Sequence, residues 1–181
     1  MIVSYFTNYS EEVMRELQSA EACIWSLGRP ASAATARVVD LGYTTHAAKI
    51  FASHAAATNS PFRFVYASGA LAERDQDKGL WFMGEARRVR GEVENQLLDL
   101  QERSPGFETA IVRPWAVGAK GAGLLYAILG ALDKGIRVDE LARVMVDVAV
   151  SGGRTVIVTL KTLVRMLRMT NYLADNLKKS P

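Results

Sequence analysis

The chain has 181 residues, 49% of them apolar and 23% charged, with a net charge of +3. That length suits one domain with a sizeable core, and the composition excludes an intrinsically disordered chain. The charge is uneven: residues 151–181 hold six Lys/Arg against Asp175 alone, +5, which leaves −2 for the rest.

The opening Met-Ile-Val-Ser-Tyr-Phe is a short apolar run with no basic region ahead of it, so no secretory signal is expected. Ser10 followed by Glu11 and Glu12 starts a helix that should reach about Ser19: the hydroxyl can cap the first turn, and the carboxylates suit the positive end of the helix dipole. Residues 22–27 form a continuous apolar run ending at Gly28, the pattern of a strand buried on both faces. Within it Cys23, the single cysteine, excludes an internal disulfide, fits a reducing compartment and reads as an inert core residue. Residues 30–36 read as a loop of small residues. Thr44 or Thr45 opens an alanine-rich helix to about Thr58, which Asn59-Ser60-Pro61 stops. Residues 62–67, Phe-Arg-Phe-Val-Tyr-Ala, are the next strand, ending at Ser68-Gly69. A helix is expected over about 78–101, with Val89, Val93, Leu97, Leu98 and Leu100 on its apolar stripe. Residues 107–112 are a third strand, closed by Arg113-Pro114-Trp115. A short helix over 121–132 follows, and the apolar stretch 122–132 falls short of the ~20 residues that span a bilayer. Ile136-Arg137-Val138-Asp139 leads into a helix ending at Ser151. Residues 155–159 read either as a last strand or as part of one helix with the basic segment.

Alternating strands and helices of this kind imply a mostly parallel α/β sheet. Three segments, in order, carry a resemblance: Phe62-Arg63-Phe64-Val65-Tyr66-Ala67-Ser68-Gly69 with the helix containing Arg90-Gly91-Glu92-Val93-Glu94; Phe107 to Arg113-Pro114-Trp115-Ala116-Val117-Gly118; and Ile136-Arg137-Val138-Asp139-Glu140-Leu141-Ala142. The chain resembles the short-chain dehydrogenase/reductase superfamily over about 20–153, and most specifically its atypical branch of epimerase-like and NmrA-like NAD(P)-binding Rossmann proteins. The resemblance implies an oxidoreductase- or epimerase-like protein of small-molecule metabolism, acting on a small-molecule substrate with NADP or NAD. Residues 1–181 then form a single incomplete Rossmann-like domain, with 154–181 as a basic C-terminal segment.

In that family a serine at the end of this strand orients the substrate carbonyl. A Tyr-x-x-x-Lys pair on the next helix moves the proton, the lysine holding the ribose and lowering the tyrosine pKa. Ser68 and Arg90 are therefore the candidate catalytic residues. Arg90 stands at the lysine position and Ala86 at the tyrosine position, and no Tyr-x-x-x-Lys occurs in the chain. Arginine can bond a ribose hydroxyl through its planar fork, but its high pKa makes it a poor proton relay; the alternative is a helix residue facing solvent. By the same resemblance Gly28, Ser68, Arg90, Pro114 and Val117 are candidate cofactor contacts.

A Rossmann fold needs a glycine-rich turn after its first strand to receive the pyrophosphate, and none precedes Gly28. Aligned by resemblance, residues 1–6 are the third strand of the fold, so the expected architecture is a Rossmann-like parallel sheet flanked by helices and lacking the first βαβ unit. Cofactor binding is accordingly expected to be weak. The loop 118–123, Gly-Ala-Lys-Gly-Ala-Gly, reads as a chain-turning segment, with phosphate binding as its alternative. Loss of that unit should leave the strand 22–27 with an open apolar edge, which residues 1–6 would pair, or which a second copy or another chain would cover.

His46 and His54 have no acid or cysteine cluster beside them, so no metal site is expected. Trp25 and Trp81 read as core or pocket wall. The basic segment, with Leu160, Leu163, Val164, Met166 and Leu167 beside Arg165 and Arg168, reads as a helix packed on the sheet with its charges in water, so neither membrane contact nor nucleic-acid binding is expected. The expected compartment is the cytoplasm. Three functions remain open: an NAD(P)-dependent enzyme, a catalytically silent relative acting through a partner, and a redox-free isomerase or cyclase using the cleft near Ser68 and Trp115.

Overall fold

The computed structural model describes residues 6–28, 33–118, 135–151 and 157–159. Among them are helices α1 (Glu11–Leu17), α2 (Ala33–Ala36), α3 (Thr44–Thr58), α4 (Gly84–Arg103) and α5 (Val138–Ser151), and strands β1 (Ala22–Trp25), β2 (Phe62–Ala67), β3 (Phe107–Arg113), β4 (Ala116–Gly118), β5 (Gly135–Arg137) and β6 (Ile157–Thr159). Four strands make one parallel sheet in the order β1-β2-β3-β6, and β4 pairs with β5 in a second, two-stranded parallel sheet. The α/β Rossmann-like arrangement expected from the sequence is the fold observed, and residues 157–159 form a strand, as the first of the two readings had it.

The pleat sorts β2 between two cores. Phe62, Phe64 and Tyr66 join Ala47, Ala48, Phe51, Ala52 and Ala55 of α3 and Val93 and Leu97 of α4 on one face. Val65, with Ala110 and Val112 of β3, meets Leu141, Val144, Met145 and Ala149 of α5 on the other. Helices on both faces explain why these strands read as near-continuous apolar runs. Arg63, the polar exception in β2, bonds Glu108 of β3 through Nε at 3.0 Å and the carbonyl oxygens of Ala149 and Val150 through Nη1 at 2.8 and 3.0 Å. It thereby satisfies two carbonyls at the C-terminus of α5 and ties that helix to the sheet.

Helix ends follow their local chemistry. Ser10 Oγ accepts from the Val13 N–H at 3.3 Å and starts α1 as expected. Asn59 ends α3 in the left-handed region, at φ 51°, a conformation asparagine tolerates better than most residues.

Four expectations are corrected. The helix of 78–101 begins instead at Gly84, because Met83 holds φ 47° and residues 77–83 are turned over the surface. Trp81 therefore belongs neither to a core nor to a pocket wall; it is 95% exposed. The small-residue loop over 30–36 is already helical from Ala33, and α2 runs through a π-helical segment, Arg37–Tyr43, into α3. Finally β1 is not buried on both faces: it lies at the edge of the described sheet, with Ile24 42% exposed and Trp25 buried. Residues 1–5, the loop past Gly118, the helix over 121–132 and most of the basic segment lie outside the described residues. Phe6 is described, and its ring meets Trp25 edge-on at 5.9 Å and stacks on Tyr43 at 5.5 Å.

Candidate functional site

At the C-terminal ends of β2 and β3, where ligands bind in open α/β sheets, the chain leaves a cavity of about 490 Å³. Its walls come from the end of α2 (Ala36), the π-helical turn (Asp40), the segment after β2 (Ser68 to Ala72), the first turns of α4 (Ala86, Arg87, Arg90) and the segment after β3 (Pro114, Trp115, Val117). The volume and the mostly apolar lining are those of a small-molecule site. Ser68, Arg90, Pro114 and Val117 all line this one cavity. Gly28 stands just behind it: a Cβ there would lie 3.4 Å from Asp40 Oδ1.

Two side chains to which the sequence reading gave no role organise the site. Ala86, Arg90 and Glu94 recur at four-residue spacing on one side of α4. Glu94, fully buried, receives Arg113 through both carboxylate oxygens, Nε to Oε1 at 2.8 Å and Nη2 to Oε2. The Ser68 hydroxyl donates to the same Oε1 at 2.5 Å. Asp40, 4% exposed at its side chain, faces Arg90, with Oδ2 3.7 Å from Nε. The four-residue spacing was the signal for Glu94. Asp40 gave less: a lone carboxylate in the apolar run Val38-Val39-Asp40-Leu41, in a segment with no assigned element.

The rest of the Arg90 fork lies over the end of β2, where Gly69 makes room for it; a Cβ on Gly69 would stand 2.7 Å from Nη1. Arg37 of the π-helical turn reinforces the same junction, bonding Glu85 at 3.0 and 3.2 Å and Glu92 at 3.3 Å. The outer wall, residues 69–83, is laid directly on α4. A Cβ on Gly91 would stand 1.7 Å from the Glu73 carbonyl oxygen, so only glycine admits this approach. Asn95 exchanges hydrogen bonds with Arg74, 2.7 Å from Arg74 Nε and 2.9 Å to its carbonyl oxygen, and Arg87 Nε donates to Leu71 O at 2.8 Å. Within the loop a hydrogen bond from Lys78, with one from the Asp75 N–H, holds the Glu73 carboxyl below its usual range.

Tyr66 lies two residues before Ser68 in the chain. Burial, reinforced by Asp40 and Glu94 and opposed by Arg90, pushes its phenol above the ordinary range. It stays protonated at working pH, and it is not among the residues that line the cavity.

No protein-family model matches the chain, and no curated protein matches it in sequence. Solved structures match its fold. A UDP-N-acetylglucosamine 4-epimerase from Bacillus cereus is 13% identical, with 87% of this chain and 62% of that one aligned at a TM-score of 0.59. An acetoin dehydrogenase from Salmonella typhimurium is 12% identical, with 85% and 69% aligned at 0.60. A gluconate 5-dehydrogenase from Burkholderia cenocepacia, solved with NADP and tartrate, is 13% identical, with 83% and 69% aligned at 0.57. The chain thus spans 62–69% of these three structures. At such identities the likeness defines a class of fold, the Rossmann-type α/β fold of dehydrogenases and epimerases.

Proposed function

We propose that this chain is an oxidoreductase- or epimerase-like Rossmann protein of small-molecule metabolism whose cleft binds a small molecule but whose cofactor binding and proton transfer are impaired. One observation carries the reading. The cavity wall on α4 presents Ala86 and Arg90 where the resembled family has its tyrosine and lysine, while the Ser68 proton is committed to Glu94. A guanidinium cannot relay a proton near neutral pH, and alanine has none to give. Arg90 is the residue suited to a ribose or carboxylate oxygen, with Ser68, Pro114 and Val117 around it and Gly28 behind. NAD or NADP is the cofactor the fold suggests. This chain carries no Gly-x-x-Gly-x-x-Gly in its sequence, so on its own it should hold either one weakly.

The test is turnover. The parent chain, given NADPH and a panel of aldehydes and ketones, should give no rate above buffer. Ala86→Tyr with Arg90→Lys should restore a measurable one at saturating cofactor. A folded, cofactor-binding double variant with no gain, or a fast parent chain, would contradict the proposal.

A second reading, a silent relative acting through a partner, is favoured by the edge of the described sheet. Ile24 is exposed on β1, and an unpaired apolar strand edge is a template for a second copy.

A further inference from the structure

The hydrogen bonding of Ser68 restricts what the cleft can recognise. A serine hydroxyl has one proton and two lone pairs. Glu94 is fully buried and is met on both oxygens by Arg113, whose side chain is 19% exposed. A neutral carboxyl here would leave the guanidinium uncompensated in the interior, so Glu94 is an acceptor only, and the Ser68 proton is spent on it. Toward the cavity Ser68 has lone pairs alone. One residue along the chain, the Arg90 fork lies against Gly69, and its terminal nitrogens donate to no described residue. Arg87 and Arg90 against Asp40 give the lining a net positive charge.

From this we infer that the cleft takes an apolar 2-hydroxy acid in preference to the matching 2-oxo acid. The carboxylate sits on Arg90, the hydroxyl donates to Ser68, and the apolar body lies among Leu71, Met83, Trp115 and Val117. A carbonyl in place of the hydroxyl would turn a lone pair toward the lone pairs of Ser68, with no proton between them. Glu94 is the positioning residue: it sets the direction in which Ser68 bonds without touching the ligand. The inference rests on the proposed binding cleft and names its ligand class.

Mandelate and benzoylformate are the probes, because benzoylformate cannot enolise. Titration of the intact chain, followed by calorimetry, should give saturable mandelate binding at least about tenfold tighter than benzoylformate binding. Ser68→Ala, which leaves Glu94 and Arg113 paired, should bring the two to within about twofold. Glu94→Gln should narrow the preference. Oε1 accepts from both Ser68 and Arg113 Nε, so an amide there either holds the serine proton on a weaker, neutral acceptor or turns an N–H to Ser68 and frees that proton for a ligand carbonyl. Either way mandelate loses ground to benzoylformate, whereas a purely structural role for Glu94 would weaken both ligands alike. Should Glu94→Gln lose its cooperative melting transition, Ser68→Ala decides alone. Equal binding, or tighter benzoylformate binding, by the parent chain overturns the inference and leaves the cleft standing. Saturable binding of neither overturns both.

Discussion

Two residues carry consequences out of proportion to their size. Gly91 lets the Glu73 carbonyl rest on α4, and the wall built on that contact contributes Leu71 and Ala72 to the cavity. A methyl group at that place must push backbone away. Gly91→Ala should cost about 1–3 kcal/mol, read as a lower melting temperature, and should also expose residues 70–83 to limited proteolysis. A variant as stable and protease-resistant as the parent would mean that the loop is not seated there. Cys23 works through pH. Burial pushes its thiol up to about 12, against about 8.5 in an unfolded chain. The folded state therefore favours the protonated form. Its contribution is complete below the unfolded value and drains away as pH rises toward the folded one. Tyr66, raised chiefly by burial, acts in the same direction at higher pH. The melting temperature should fall from about pH 9 upward, and less steeply in Cys23→Ala; parallel curves would show that the thiol is not held in this way.

At the scale of elements, what the sequence disclosed depended on how local the deciding chemistry was. Thr44 to Thr58 was legible as a helix because its stop, Asn59-Ser60-Pro61, lies in three consecutive residues. The N-cap at Ser10 was legible for the same reason. Strands β2 and β3 announced themselves by apolar runs that only two covering helices would tolerate. The start of α4 was not legible: Lys78 to Met83 has no breaker strong enough to predict the left-handed Met83. The π-helical turn was missed because its purpose is distant in sequence, in Arg37 reaching Glu85 and Glu92 and in Asp40 reaching Arg90. The candidate site shared this divide. Ser68, Arg90, Pro114 and Val117 followed motifs and meet in one cavity. Asp40 and Glu94 needed the fold to show that they are buried and paired. Where a turn does depend on one residue, the test is simple. Gly106 holds φ +81° between α4 and β3, and its carbonyl accepts the Phe62 N–H at 2.8 Å. Gly106→Ala should lose about 1 kcal/mol, measured by denaturant unfolding; an unchanged midpoint would contradict this backbone assignment.

For the whole molecule, the described sheet is open, and β1 lies at its edge with Ile24 toward solvent. If that edge recruits a second copy, sedimentation velocity should show association that grows with concentration, and Ile24→Lys should return the chain to monomer, because charge on an edge strand opposes pairing. A parent chain that stays monomeric throughout would remove a second copy as the occupant of that edge. Our central proposal is that this chain has a small-molecule cleft on a Rossmann-type fold and holds a nicotinamide nucleotide only weakly. The most direct measurement is a titration of the chain with NADPH and NADH, followed by nucleotide fluorescence. Dissociation constants of about 1 mM or weaker, corresponding to roughly −4 kcal/mol, are the predicted result; saturable binding at micromolar concentrations of either nucleotide would contradict it.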